Sequence, residues 1–78
     1  MKFYVNKETI EKAKSTGKCP VEMTLRRKTK KMVETDGIET TIGETKYENP
    51  QSLVSFISNF DNDETVKPNW FRLTKRTS

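Results

Sequence analysis

The sequence predicts a small α+β fold, a two-layer sandwich built on an antiparallel sheet. Three observations predict it. Val21, Met23 and Leu25 alternate with Glu22, Thr24 and Arg26, the period of a half-buried strand. Leu53, Phe56, Ile57 and Phe60 recur at helical spacing. Between these runs, Asp36-Gly37 separates two extended stretches, a strong hairpin signal. The chain has 78 residues, of which 31% are hydrophobic. A chain of that size supports one small core, so residues 1–78 are expected to form a single domain.

The elements follow in order. Lys2 to Val5 is apolar enough for a first strand. Asn6 suits the N-cap of a helix running to about Thr16, and Gly17 suits its C′ stop. Only Ile10 and Ala13 give that helix an apolar stripe, so it belongs on a surface. Pro20 opens the alternating strand, which runs into the basic stretch Arg26-Arg27-Lys28-Thr29-Lys30-Lys31. The hairpin at Asp36-Gly37 leads into a third strand within Ile38 to Tyr47. Asn49 and Pro50 read as N-cap and N1 of the second helix, which ends near Asp61-Asn62-Asp63. Asn69 to Thr74 reads as the last strand, and 75–78 as a frayed polar tail.

Strand, helix, strand, strand, helix, strand is the β-α-β-β-α-β layout of ferredoxin-like sandwiches. It places two helices on one face of a four-stranded antiparallel sheet, with the first and last strands as neighbours. The fallback is a β-meander packed on the helix at 50–61.

The charge balance is +4, and its distribution is uneven. Residues 1–33 carry ten basic and three acidic side chains, residues 34–66 one and eight, and residues 67–78 four and none. The basic ends favour an anionic partner. No segment approaches the roughly 20 apolar residues of a membrane span. The N-terminus turns polar too early for a signal peptide, so a cytoplasmic location and no membrane partner are expected.

Residues suited to chemistry are few. There is no histidine, and the single Cys19 forms neither an intrachain disulfide nor a thiolate metal cluster. Glu34, Asp36, Glu39, Glu44 and Glu48 gather near the hairpin, a solvated tip without the cleft that a catalytic carboxylate pair needs. Asp61-Asn62-Asp63 starts like a calcium loop, but Val66 and Arg72 stand where that loop needs Gly and Glu. No enzyme activity, no metal and no cofactor are therefore expected.

What remains is contact chemistry. Arg26, Arg27, Lys28, Lys30 and Lys31 put five cations in six residues, and Arg72, Lys75 and Arg76 add three more. If Phe3, Val5, Val21, Met23, Leu25, Phe71 and Leu73 face the helices, then Tyr4, Arg26, Lys28, Trp70 and Arg72 face outward. Aromatic rings among cations on an open sheet are one way to stack nucleotide bases. The Gly-aromatic core of an RNA-recognition motif is absent from Ile38–Tyr47.

The first expectation is a non-catalytic binding protein. It would engage nucleic acid through Arg26, Arg27, Lys28, Lys30, Lys31, Arg72, Lys75 and Arg76, with Tyr4 and Trp70 stacking. The alternative is a stoichiometric inhibitor or accessory protein, of the kind phages and plasmids use as counter-defence factors. It would dock on a host protein or nucleoprotein complex by charge complementarity.

Overall fold

The computed structural model describes residues 1–76. Its elements are β1 (Lys2–Val5), α1 (Lys7–Thr16), α2 (Pro20–Thr29), β2 (Val33–Thr35), β3 (Glu39–Ile42), β4 (Thr45–Glu48), α3 (Gln51–Asp61), β5 (Asn69–Arg72) and β6 (Thr74–Lys75). The fold is α+β, with three helices and two antiparallel sheets. β1 pairs with β5 in a two-stranded ribbon, and the second sheet runs β2-β3-β4-β6. The ferredoxin-like order is therefore replaced by one with an added helix and a divided sheet. The fallback meander survives in part, because β2, β3 and β4 are consecutive neighbours.

The added helix is α2, where a strand was expected over residues 20–25. Two spacings compete there. Val21, Met23 and Leu25 fit period two, while Val21 and Leu25 alone fit a helical i, i+4 stripe. The helix buries Pro20, Val21 and Leu25 and leaves Met23 half-buried. Local chemistry favours this outcome. Pro20 occupies the first helical turn, where its missing N–H costs nothing. Arg and Lys are good helix formers, so the basic run extends the helix. The Thr24 and Thr29 hydroxyls donate to the Pro20 and Leu25 carbonyls at 2.8 and 2.7 Å. Lys30, at φ 60°, closes the helix by donating its N–H to Arg26 O.

The other boundaries have similar local causes. The Asn6 side chain accepts from Thr9 N at 2.8 Å, and Gly17 takes the left-handed C′ position at φ 70°. α1 buries Thr9 and Ala13, while Ile10 is half-buried against the core. Asp36 Oδ1 accepts from the Ile38 and Glu39 amides at 2.9 and 2.8 Å, locking the β2–β3 turn. These amide bonds, Glu39 first, hold the Asp36 carboxyl below the usual carboxylate range. The expected third strand is split at Gly43, φ 61°, into β3 and β4. Pro50, not Asn49, caps α3. The Asn49 amide is used elsewhere: its Oδ1 accepts from the buried Thr40 hydroxyl at 2.7 Å.

The core is Phe3, Val5, Val21, Leu25, Val33, Ile42, Leu53, Phe56, Ile57, Phe71 and Leu73. Six of the seven residues expected to face inward are in it, and Met23 is not. Leu73, 1% exposed, is the hinge between the two sheets, since β5 ends before it and β6 begins after it. The outer edge of β2 is closed by α2. Arg26 Nη2 donates to Val33 O at 2.9 Å, and Thr35 N donates to Glu22 Oε2 at 3.1 Å. A strand edge satisfied in this way offers no template for pairing. The frayed tail expected over 75–78 is not what Lys75 and Arg76 form. Lys75 pairs with Tyr47 in β6, and Arg76 N donates to Lys46 O at 2.9 Å. Thr77 and Ser78 lie outside the described residues.

The helical state of α2 has a direct consequence. Leu25→Ala should cost about 2–5 kcal/mol, as for other fully buried leucines. Met23→Ala should cost under about 1 kcal/mol, as for a half-exposed site. Urea unfolding of both variants checks this, because a strand would bury both side chains equally.

Candidate nucleic-acid interface

The β1–β5 ribbon is a two-faced strip. Its register pairs Lys2 with Arg72, Phe3 with Phe71, Tyr4 with Trp70 and Val5 with Asn69. Alternation along each strand sends Phe3, Val5 and Phe71 inward. Lys2, Tyr4, Trp70 and Arg72 therefore share the outer face, and all four are exposed. Met1 and Leu73 exchange both hydrogen bonds, at 2.8 and 2.7 Å. The antiparallel alternation then makes Tyr4–Trp70 a non-hydrogen-bonded pair, the kind with closer side chains. Their ring centroids are 5.1 Å apart with planes tilted by 48°. Tyr4 is 42% exposed and Trp70 57%. The Lys2 ammonium sits 5.1 Å from the Trp70 ring centroid, a cation–π contact.

α2 brings a second set of cations to the rings. A cleft of about 320 Å³ is lined by Tyr4 and Trp70 on one side and by Thr24, Arg27 and Lys28 on the other. Arg27 Nη2 donates to Thr9 Oγ1 at 2.8 Å, which fixes the guanidinium against α1. No carboxylate lines this cleft among the described residues. A second cleft of about 510 Å³ lies between α1 and α2 and shares Thr9 and Arg27 with the first. It adds Lys12, Lys18 and Arg26, and Glu8 is the one carboxylate among its described lining residues.

The sequence-predicted residues divide into two groups. Tyr4, Trp70, Arg72, Arg27 and Lys28 come together around the ribbon and α2. The others are placed elsewhere. Arg26, expected beside the rings, is turned to the β2 edge and pairs with Glu22 at 3.4 Å. Its neighbour Arg27 takes the place by the rings, because a helix sends these two residues to different sides. Lys30 caps α2, and the Lys31 side chain lies against Gly43 in the β3–β4 turn. Lys75 belongs to the four-stranded sheet, and Arg76 forms an ion pair with Glu39. Of the C-terminal cations expected at the site, Arg72 lies on the ring face and Lys75 and Arg76 do not.

Lys2, Lys12 and Lys18 were missed by the sequence reading. Lys2 was legible, since it lies two residues from Tyr4 on the same strand. Lys12 and Lys18 were not, because their cleft exists only if residues 20–29 are helical. Burial, opposed by amide bonds from Glu22 and Val21, pushes the Cys19 thiol above its ordinary range.

No family model matches the chain, and no curated protein and no solved structure is detectably similar to it. Among the described residues, no helix is long and apolar enough to cross a membrane.

Trp70 is the single tryptophan, so its fluorescence reports on this face alone. Iodide should quench it more efficiently than neutral acrylamide does, each relative to free tryptophan, because the surrounding cations concentrate anions. Adding salt or introducing Lys28→Glu with Arg72→Glu should lower the iodide quenching and leave acrylamide unchanged.

Proposed function

We propose that the chain is a non-catalytic nucleic-acid-binding module whose contact surface is the outer face of the β1–β5 ribbon together with the cationic flank of α2. The observation that carries this is the exposed Tyr4–Trp70 pair, with Arg27 and Lys28 across the cleft, Lys2 and Arg72 on the same ribbon face, and no carboxylate lining the cleft among the described residues. Bases offer π faces to the rings, and phosphates offer charge to the cations. Arg27 is already anchored by Thr9, so little side-chain freedom is lost when it meets a phosphate. Lys2 is a replaceable occupant of the Trp70 face. An exposed cation–π contact is worth about 0.5–1 kcal/mol, whereas a stacked base is worth about 1–3 kcal/mol. The displaced ammonium then stands beside the incoming backbone.

Salt titration tests the reading. With four phosphate contacts on a single strand, affinity should fall roughly 50-fold between 50 and 200 mM salt. Arg27→Glu or Lys28→Glu should weaken binding and flatten that slope. A binding constant indifferent to salt overturns the proposal.

The inhibitor reading has an observation of its own. Ile38 is 71% exposed at the tip of the β2–β3 hairpin, beside Val54 and Ile57 and flanked by Asp36 and Asp61. An apolar patch edged by acids suits a basic, apolar segment of a partner protein. This reading requires a complex that survives nuclease, is lost with Ile38→Lys and is kept with Trp70→Ala. The opposite pattern excludes it.

A further inference from the structure

We infer that the nucleic acid taken by this surface is single-stranded, with an unpaired base stacked on Trp70 and the backbone led past Arg27 into the cleft between α1 and α2. This rests on the nucleic-acid reading above and narrows its substrate class. Two features of the molecule carry it.

The first is that the two clefts adjoin each other. The ring cleft and the α1–α2 cleft have Thr9 and Arg27 as a common wall. The Arg27 guanidinium, held by Thr9 at 2.8 Å, is therefore within reach of both. A strand entering over Trp70 meets Lys28 and Arg27, then Lys12 and Lys18. Rings at one end and cations along the path are the layout that takes a flexible strand with splayed bases. A duplex keeps its base faces stacked on one another and has none to offer to Trp70.

The second is the way α2 is committed. α1 and α2 are joined by three residues that include Gly17, as in a helix-turn-helix pair. In that mode the N-terminal residues of the second helix reach the base edges in the major groove. Here Pro20 and Val21 are buried, and Glu22 is bonded to Arg26 and to Thr35 N. No cation stands in the first turn of α2, and a carboxylate does. The Arg26 guanidinium is committed to Glu22 and to Val33 O, whereas Arg27 gives one N–H to Thr9 Oγ1 and keeps the rest of its fork for an anion. The free charge of α2 is at its C-terminal end, beside the rings. That arrangement suits a passing backbone and not a groove.

The experiment compares labelled oligothymidylate of about 12 nucleotides, which has little structure of its own, with a duplex of the same strand length by fluorescence anisotropy. The single strand should bind at least about tenfold more tightly and quench Trp70. Trp70→Ala should weaken its binding by roughly 5- to 150-fold without changing the salt slope, and Trp70→Phe should restore much of the loss. Lys12→Glu with Lys18→Glu should weaken binding and lower the salt slope by about 0.7 per lost phosphate contact. Circular dichroism confirms that each variant is folded. A duplex bound as tightly as the single strand, or more tightly, overturns the inference and leaves the nucleic-acid reading standing. Failure of both to bind at low salt overturns both. Loss of binding in the Trp70 variant with none in the Lys12/Lys18 variant overturns the path through the α1–α2 cleft.

Discussion

The pairing of residues 2–5 with residues 69–72 is the constraint on which the rest of this structure depends. It joins the two ends of the chain across nearly its whole length. Closing so long a loop costs conformational entropy, which grows only slowly with loop length. The return is a packed trio of rings beneath the ribbon. Phe3 and Phe71 lie 5.8 Å apart, and Phe71 meets Phe56 of α3 edge-on at 5.1 Å. Because side chains alternate, burying this trio obliges Tyr4 and Trp70 to stand together on the other side. The exposed ring pair is thus the outward half of the contact that closes the fold.

The cations are sorted by a second constraint, the need to finish exposed backbone. Arg26 and Glu22 complete the edge of β2, so their charges serve the fold. Arg76 answers Glu39 across the larger sheet. Charges committed in this way contribute less to the field around the molecule. Among those left over are Lys2, Lys28 and Arg72 on the ring side, with Lys12 in α1 and Lys18 in the turn that follows it. The asymmetry between a cationic ring face and an acid-flanked Ile38 patch follows from this sorting rather than from net charge.

Part of this was legible beforehand. The helix carrying Leu53, Phe56 and Ile57, the hairpin at Asp36-Gly37 and the outward Tyr4, Trp70 and Arg72 follow from short-range pattern, whereas the pairing of residues 2–5 with 69–72 was expected only from a β-α-β-β-α-β order that the chain does not have. Residues 20–29 did not follow. Val21 and Leu25 satisfy both periods, and Met23 tipped the pattern toward a strand. Only packing against α1, β1 and β2 separates the alternatives, since in a helix two apolar side chains suffice to fill the space available. That one ambiguity misplaced Arg26, hid Arg27 from the rings and concealed the cleft that Lys12 and Lys18 line.

Local sequence determined which segments are apolar, where the chain turns and which side chains are able to grip an anion, because these depend on residue type and near neighbours. The three-dimensional packing alone decided which cations are free. Whether a guanidinium meets a carbonyl, a carboxylate or open water depends on what a distant segment leaves unsatisfied beside it. Nothing in the spacing of Arg26 and Arg27 tells them apart. The edge of β2 and the hydroxyl of Thr9 do.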